Sequence, residues 1–349
     1  MRIAIVNDTP MIVEMLRRII TSVPGYDLAW LAYNGKSAVD YCARDTPDLI
    51  LMDMIMPEMD GVQATRVIMQ QSPCAILIVT ADIKKNSGKI FEAMGYGALD
   101  VVSTPIMGIP EPEHLHHLLL KTIASIGIVT GTVPPKWSST YPGASNDPSI
   151  IHRLSQPPSN LPPLIIIGAS TGGPKALATV LRELPSNFEG SIVIIQHLDV
   201  HFSSGLAKWL NQQTPLSVVL ASEGDTLTAS KVLLAGTNDH LALRPNLTLT
   251  YTKKPENYPY RPSIDVFCQS VAQYWTRKGM AVLLTGMGRD GAMGLKKLRR
   301  RGWHTIAQDK QSCVLYGLPK AAVEMEAATE ILSLSKIAST LIKRVRLIA

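Results

Sequence analysis

Leu164-Ile-Ile-Ile-Gly168-Ala-Ser170-Thr-Gly172-Gly173-Pro174-Lys175 passes from an apolar run, through a glycine-rich turn, into a segment with proline at its start. An uninterrupted aliphatic run of this length reads as a strand buried on both faces, the mark of a parallel sheet. Proline is tolerated in the first turn of a helix, where its missing N–H has no partner to lose. Strand, tight turn and helix in succession form half of a βαβ unit. Further along, Ser191–Ile195 and Met280–Leu284 repeat the buried-strand pattern. Between residues 216 and 252 short strands and turns dominate, with Arg244-Pro-Asn-Leu as a turn between two of them. Residues 164–349 therefore read as a doubly wound α/β domain with a small β excursion.

Upstream of this stretch the pattern dissolves. Residues 127–163 contain Thr130-Gly-Thr-Val-Pro-Pro-Lys-Trp-Ser-Ser-Thr-Tyr-Pro-Gly and Ser155-Gln-Pro-Pro-Ser-Asn-Leu-Pro-Pro163, a composition that buries too little surface to order itself and reads as a linker. Before it, strand-like runs at Ile3–Val6, Leu28–Ala32, Leu49–Met52, Ala75–Val79 and Leu99–Val102 alternate with helical periodicity, for example at Met11–Ile20 and Gly61–Gln71. Five such units over residues 1–126 predict a second α/β domain, a five-stranded parallel sheet with helices on both faces.

Composition narrows the function classes. Charged residues make up 18% of the 349 and hydrophobic residues 46%, a globular balance with material for two cores. No apolar run approaches the roughly 18 residues that span a bilayer, and the N-terminus enters a strand pattern at once, so neither membrane insertion nor a signal peptide is expected. Four cysteines without a C-x-x-C pair suit a reducing cytoplasm. The net charge of +6 is uneven. Residues 1–126 hold 10 basic against 14 acidic side chains, so the rest of the chain is strongly basic. The densest basic run, Lys296-Lys297 to Arg299-Arg300-Arg301, lies on a helical segment without interleaved aromatics, which argues against nucleic acid and leaves an acidic macromolecular partner or a plain solvated surface.

In the first domain, Asp8 follows the first strand, Asp53 ends the third and Thr80 ends the fourth. Parallel strands bring these ends to one rim. Two carboxylates there repel unless a cation sits between them, and Mg²⁺ prefers such oxygen ligands. An aspartate held beside Mg²⁺ can take a phosphoryl group, with the Thr80 hydroxyl hydrogen-bonded to it. The plainer alternative is that both acids cap the segments that follow.

In the second domain the glycine-rich turn admits three readings: a phosphate cradle at a helix N-terminus, a structural turn, or the nucleophile turn G-x-S-x-G centred on Ser170. A nucleophilic serine needs a base and a group to orient it. His197 ends the strand Ile192-Val-Ile-Ile-Gln-His, and Asp290 lies in Leu284-Thr-Gly-Met-Gly-Arg-Asp290, just past another buried strand. All three side chains are thus expected at the same end of neighbouring strands. The chain order Ser, His, Asp differs from the Ser, Asp, His order of α/β-hydrolases and argues against that fold. His197 and His201 have metal-motif spacing, but Leu198 replaces the glutamate of H-E-x-x-H, and the segment reads as a loop. A nucleotide-binding enzyme is disfavoured because G-x-G-x-x-G and the P-loop pattern are absent. A non-catalytic response regulator that only binds a partner is the remaining rival.

Two sets of motifs resemble known families. Asp8, Asp48-Leu-Ile-Leu-Met-Asp53-Met-Ile-Met-Pro57-Glu-Met-Asp-Gly61 and Thr80-Ala81 resemble the flavodoxin-like receiver domains of two-component response regulators. Gly168-Ala-Ser-Thr-Gly-Gly173, Gln196-His197, Pro262-Ser-Ile-Asp-Val266, Thr285-Gly-Met-Gly-Arg-Asp-Gly291 and Ala307-Gln-Asp-Lys-Gln-Ser-Cys-Val314 resemble the chemotaxis protein-glutamate methylesterases (CheB), and details of the receiver are closer to the variant of Wsp-type chemosensory systems. The receiver resemblance implies Asp53 as phospho-acceptor, Mg²⁺ held by Asp8, Asp53 and the Ile55 carbonyl, and Thr80 as switch hydroxyl. The methylesterase resemblance implies attack by Ser170 on a glutamate γ-methyl ester of a methyl-accepting chemoreceptor. In that scheme His197 is the base, Asp290 its orienter and the Met287 N–H an oxyanion donor; the esterase needs no cofactor. Glutamine deamidation by the same chemistry and a CheA-type histidine kinase as phosphodonor follow from it too. Three residues depart from the receiver pattern: Asn7 replaces an acid, Thr104 a lysine that contacts the phosphoryl group, and Val101 an aromatic that turns inward on activation.

Overall fold

A computed structural model describes residues 1–81, 83–104, 112–129, 131–132, 161–256 and 258–348. Most of the expected linker, and Pro105, lie outside them.

The first domain consists of β1 (Arg2–Val6), α1 (Pro10–Thr21), β2 (Asp27–Ala32), α2 (Gly35–Arg44), β3 (Leu49–Met52), α3 (Gly61–Gln71), β4 (Ala75–Thr80), α4 (Ile83–Tyr96), β5 (Asp100–Ser103) and α5 (Pro112–Val129). Its strands pair in parallel in the order β2-β1-β3-β4-β5. The aliphatic strands are legible because both sheet faces are covered: Ile3, Ile5, Leu49, Leu51 and Leu77 pack toward α1 and α5, and Ala4, Ile50, Met52, Ile76 and Ile78 pack into the opposite core. Helix α5 continues past residue 126, where the sequence pattern placed the end of the domain.

The second domain contains β6 (Leu164–Ala169), α6 (Gly173–Arg182), β7 (Ser191–Gln196), α7 (Val200–Gln213), β8 (Ser217–Leu220), β9 (Lys231–Leu234), β10 (His240–Leu243), β11 (Leu249–Thr252), α8 (Ile264–Tyr274), β12 (Met280–Leu283), α9 (Ala292–Arg300), β13 (His304–Gln308), α10 (Leu318–Glu324), β14 (Glu330–Leu332) and α11 (Leu334–Ile348). Seven strands form one parallel sheet in the order β14-β13-β12-β6-β7-β9-β8. The β excursion is therefore narrower than the sequence pattern indicated. Only the antiparallel pair β10–β11 stands apart, while β8 and β9 extend the main sheet. The order reverses at β6, which has β7 on one side and β12 on the other. Crevices at such switch points, beyond the carboxyl ends of the strands, are where α/β sheets bind ligands.

The two domains share a continuous apolar core. Helix α4 packs on α6 and α7, and Phe91 stacks on Trp209 with ring centres 6.1 Å apart. Two polar contacts accompany this packing. The Gly172 N–H donates to the Leu99 carbonyl at 3.0 Å, and the Thr171 hydroxyl donates to Asp100 Oδ2 at 2.8 Å. The first domain thus rests on the turn that carries Ser170. No helix among the described residues is long and apolar enough to cross a membrane.

Candidate active site

Ser170 follows β6 in the turn into α6, and the turn is shaped by its backbone. Gly172 has φ +75°, and a Cβ there would come within 2.8 Å of Val314, so only glycine fits without strain. The Ser170 N–H donates to the Thr285 carbonyl at 3.1 Å, and its own carbonyl accepts from Gln196 Nε2 at 2.9 Å. The end of β7 and the loop after β12 therefore hold the serine from both sides of the switch point.

His197 follows β7, with 9% of its side chain exposed. Its Nε2 lies 2.8 Å from Asp290 Oδ2. Asp290 is fully buried and accepts three more hydrogen bonds: Ser263 Oγ at 2.8 Å, the Ile264 N–H at 2.7 Å and the Asp265 N–H at 3.1 Å. Two of these donors belong to the first turn of α8, whose orphan N–H groups and dipole favour an anion. Burial opposes ionisation of Asp290, but His197 and these donors outweigh it and hold the carboxyl below the usual range. With Nε2 fixed on Asp290, Nδ1 is the ring nitrogen left to take a proton. It is buried and has no hydrogen-bond partner among the described residues.

A second carboxylate, Asp265, sits beside Asp290. It accepts from the Gly294 N–H at 2.6 Å and from Tyr258 Oη at 3.0 Å, capping the first turn of α9. Burial and the charge of Asp290 push its carboxyl up to about 7. A folded value above the unfolded one stabilises the protein at low pH, and this contribution is lost as pH rises through about 7. Stability measured by urea unfolding is therefore expected to fall between pH 5.5 and 8.5 by on the order of 2 kcal/mol from this group. Asp265→Asn should flatten the curve by that amount, and parallel curves for the two proteins would rule the assignment out.

Ser170 and His197 line one cavity of about 430 Å³ together with Met287 of the β12–α9 loop. The opposite wall comes from the first domain: Asp100, Val101 and Val102 of β5, and Leu118, Lys121 and Thr122 of α5. Asp100 is driven up from the ordinary carboxylate value by burial, which the Thr171 hydroxyl and His197 partly offset. Lys121 Nζ lies 6.0 Å from the ring centre of Tyr260, which stacks on His197.

At the rim of the first domain, the Asp53 N–H donates to the Val6 carbonyl at 2.9 Å, its Oδ1 accepts from the Met54 N–H at 2.7 Å and its Oδ2 from Asn7 Nδ2 at 3.1 Å. Burial, reinforced by the charge of Asp8 and offset by the Met54 N–H, pushes Asp53 up to about 6. Thr80 is buried and accepts from Asn86 Nδ2 at 3.4 Å. The Thr104 N–H donates to the Thr80 carbonyl at 3.0 Å, and the Thr104 hydroxyl is buried with no partner among the described residues. Asp8 and Ile55 are exposed, Ile55 by 46%.

The structure thus brings Ser170, His197 and Met287 to one crevice, with Asp290 buried behind His197, and Asp8, Asp53 and Thr80 to one rim. It corrects the local reading of His201, which lies in the first turn of α7 and pairs with Asp199 at 2.6 Å. Asp199 caps that helix, accepting from the His201 N–H, and so starts a helix where a loop was expected. Residue patterns missed Tyr260, Ser263, Asp100 and Thr171. Ser263 and Thr171 fell within quoted motifs and Asp100 within a strand run, but none of the four was singled out by its pattern.

The CheB methylesterase family matches residues 165–341, and the response regulator receiver domain family matches residues 3–117. A Pseudomonas aeruginosa protein named protein-glutamate methylesterase/protein-glutamine glutaminase 3 is 49% identical over 350 residues, covering 98% of each chain. A Pseudomonas fluorescens protein named protein-glutamate methylesterase/protein-glutamine glutaminase 1 is 51% identical over 98% of this chain and 99% of that one. Among solved structures, the Thermotoga maritima CheB methylesterase catalytic domain is 34% identical, covers 52% of this chain and 98% of its own, and has a TM-score of 0.51.

Proposed function

The chain belongs to the CheB methylesterase family, with a receiver domain ahead of the catalytic one, and on that premise we propose how its residues perform a phosphorylation-controlled ester hydrolysis. It is a hydrolase, a response-regulated protein-glutamate methylesterase and protein-glutamine glutaminase, acting on chemoreceptors downstream of a phosphodonor kinase.

Ser170 attacks the ester carbonyl while His197 Nδ1 takes its proton. The imidazolium so formed is held by Asp290, whose charge is fixed by α8 and Ser263. The Met287 N–H donates to the developing oxyanion; a single donor of this kind is typically worth about 10²–10³ in rate. Methanol leaves after taking the proton from His197. Water, activated by the same imidazole, then releases the glutamate. A primary amide carbonyl enters the same sequence with ammonia as leaving group. The observation that carries this reading is the fully buried Asp290 carboxylate fixed on His197 Nε2, with Ser170 in the same crevice.

Control falls to Asp53, with a CheA-type histidine kinase as donor. The donor set at the rim, Asp8, Asp53 and the Ile55 carbonyl, is all oxygen and includes two carboxylates, of which Asp53 is raised chiefly by burial and further by the charge of Asp8, so these residues fit Mg²⁺. Bound there, Mg²⁺ would supply charge neutralisation to an incoming phosphoryl group. Asp53 forms the acyl-phosphate, and the Thr80 hydroxyl hydrogen-bonds the new oxygens. Because β5 and α5 wall the crevice, a change in the receiver alters access to Ser170.

Full-length protein is expected to release methanol from methylated receptor, and acetyl phosphate with Mg²⁺ should raise the rate about 5-fold or more. The rise should vanish in Asp53→Asn. No methanol under either condition would refute the esterase reading. Methanol release indifferent to the phosphodonor would refute the control.

A further inference from the structure

We infer that Tyr260 is a positioning residue for the catalytic base, its ring face holding the His197 imidazole. This rests on the reading of Ser170, His197 and Asp290 given above. The Tyr260 ring lies face to face with the imidazole, with centres 4.5 Å apart and planes 4° from parallel. A single hydrogen bond from Nε2 to Asp290 restrains one point of the imidazole but does not set the ring's torsion about the Cβ–Cγ bond. An aromatic face pressed on one side removes that freedom and sets the plane in which Nδ1 points.

Tyr260 is itself well anchored. It lies three residues before Ser263, in the segment whose Ser263, Ile264 and Asp265 donors all grip Asp290. One segment therefore fixes the carboxylate from one side and the imidazole from another. Its hydroxyl end meets the β12–α9 loop: a Cβ on Gly288 would stand 2.4 Å from Tyr260 Oη, so glycine at 288, with φ +93°, lets the phenol close on the backbone beside Met287. The tyrosine thus spans base and oxyanion turn.

The stack also has a chemical consequence. Neutral imidazole gains little from the negative face of a phenol ring, whereas the imidazolium formed as Ser170 attacks is attracted to it. That stabilisation is larger in the transition state than in the ground state and so appears in kcat.

The test compares Tyr260→Phe, Tyr260→Leu and Ser170→Ala in the full chain, assayed by methanol release from methylated receptor with melting temperatures recorded. Tyr260→Leu is expected to lower kcat roughly 10–100-fold, the scale of a misplaced catalytic group, with KM and melting temperature nearly unchanged. Tyr260→Phe retains the ring and should stay within about 2-fold of wild type, since the positioning is supplied by the aromatic face. Wild-type kcat in Tyr260→Leu would overturn the inference. So would a Phe variant as slow as the Leu variant, or a Leu variant that loses kcat only together with its melting temperature. Ser170→Ala separates the two readings. Activity in that variant condemns the triad itself, whereas a silent Ser170→Ala beside a fully active Tyr260→Leu removes only the role given to Tyr260.

Discussion

Ser170→Ala is expected to lower methyl-ester hydrolysis by about 10⁶-fold, the scale seen when the nucleophile of a Ser-His-Asp set is removed. The substitution deletes one hydroxyl and little else. Ser170 is 8% exposed, and its placement depends on backbone groups: its N–H on the Thr285 carbonyl, its carbonyl on Gln196 Nε2, and the glycines that follow. None of these changes in alanine, so the melting temperature should hold within a few degrees. Methanol release from methylated receptor measures the activity, and urea unfolding checks the fold. An alanine variant with near-normal turnover would place the nucleophile elsewhere.

Asp290→Ala should damage both activity and stability, unlike Ser170→Ala. Removing the carboxylate strands four donors in a fully buried site: His197 Nε2, Ser263 Oγ, and the N–H groups of Ile264 and Asp265. Breaking one side of a buried charged network costs about 3–5 kcal/mol, because the remaining polar groups lose their partner without regaining water. The urea midpoint should drop accordingly. Asp290→Asn keeps the shape, but its amide nitrogen can accept from neither His197 nor the α8 N–H groups. Turnover should fall about 10⁴-fold through the wrong imidazole tautomer. An Asp290→Ala protein as stable as wild type would mean that these donors find other partners.

The unequal effects of the two substitutions follow from where each residue gets its geometry. Ser170 is held by main chain on β6 and needs no side-chain partner to stand where it does. Asp290 is held by, and in turn holds, a helix terminus from a different part of the chain. The pair of acids at positions 265 and 290 shows the same division of labour. Both are buried, but His197 and the α8 N–H groups keep Asp290 charged, while Asp265 is pushed toward its protonated form.

Much of this was legible in residue order. Long aliphatic runs such as Leu164–Ile167 and Leu49–Met52 can only be strands covered on both faces, and their ends carry Ser170, His197, Asp8, Asp53 and Thr80 by simple adjacency. The short strands β8 and β9 were harder. Ser217–Leu220 alternates exposed and buried positions like a hairpin strand, and what places it in the parallel sheet is its pairing with β9. His201 was misread because the cap that starts α7, Asp199, acts through a local hydrogen bond that periodicity does not record. Tyr260 left no signal, since stacking on His197 is a contact between residues distant in the chain.

Taken alone, the sequence determined which residues stand at strand ends, because side chains after a buried strand emerge at a sheet rim wherever that strand is placed. It also determined the departures at Asn7, Val101 and Thr104, which are matters of residue identity. Tertiary structure decided which rims face each other. Only the packing of α4 on α6 and α7 turns the crevice of Ser170 toward β5 and α5 and joins Thr171 to Asp100. Those contacts arise from apolar burial shared between domains, a non-directional force whose outcome depends on the shapes of whole surfaces. No run of residues encodes that outcome locally, and so the place of β5 and α5 against the crevice of Ser170 became visible only with the two domains in place.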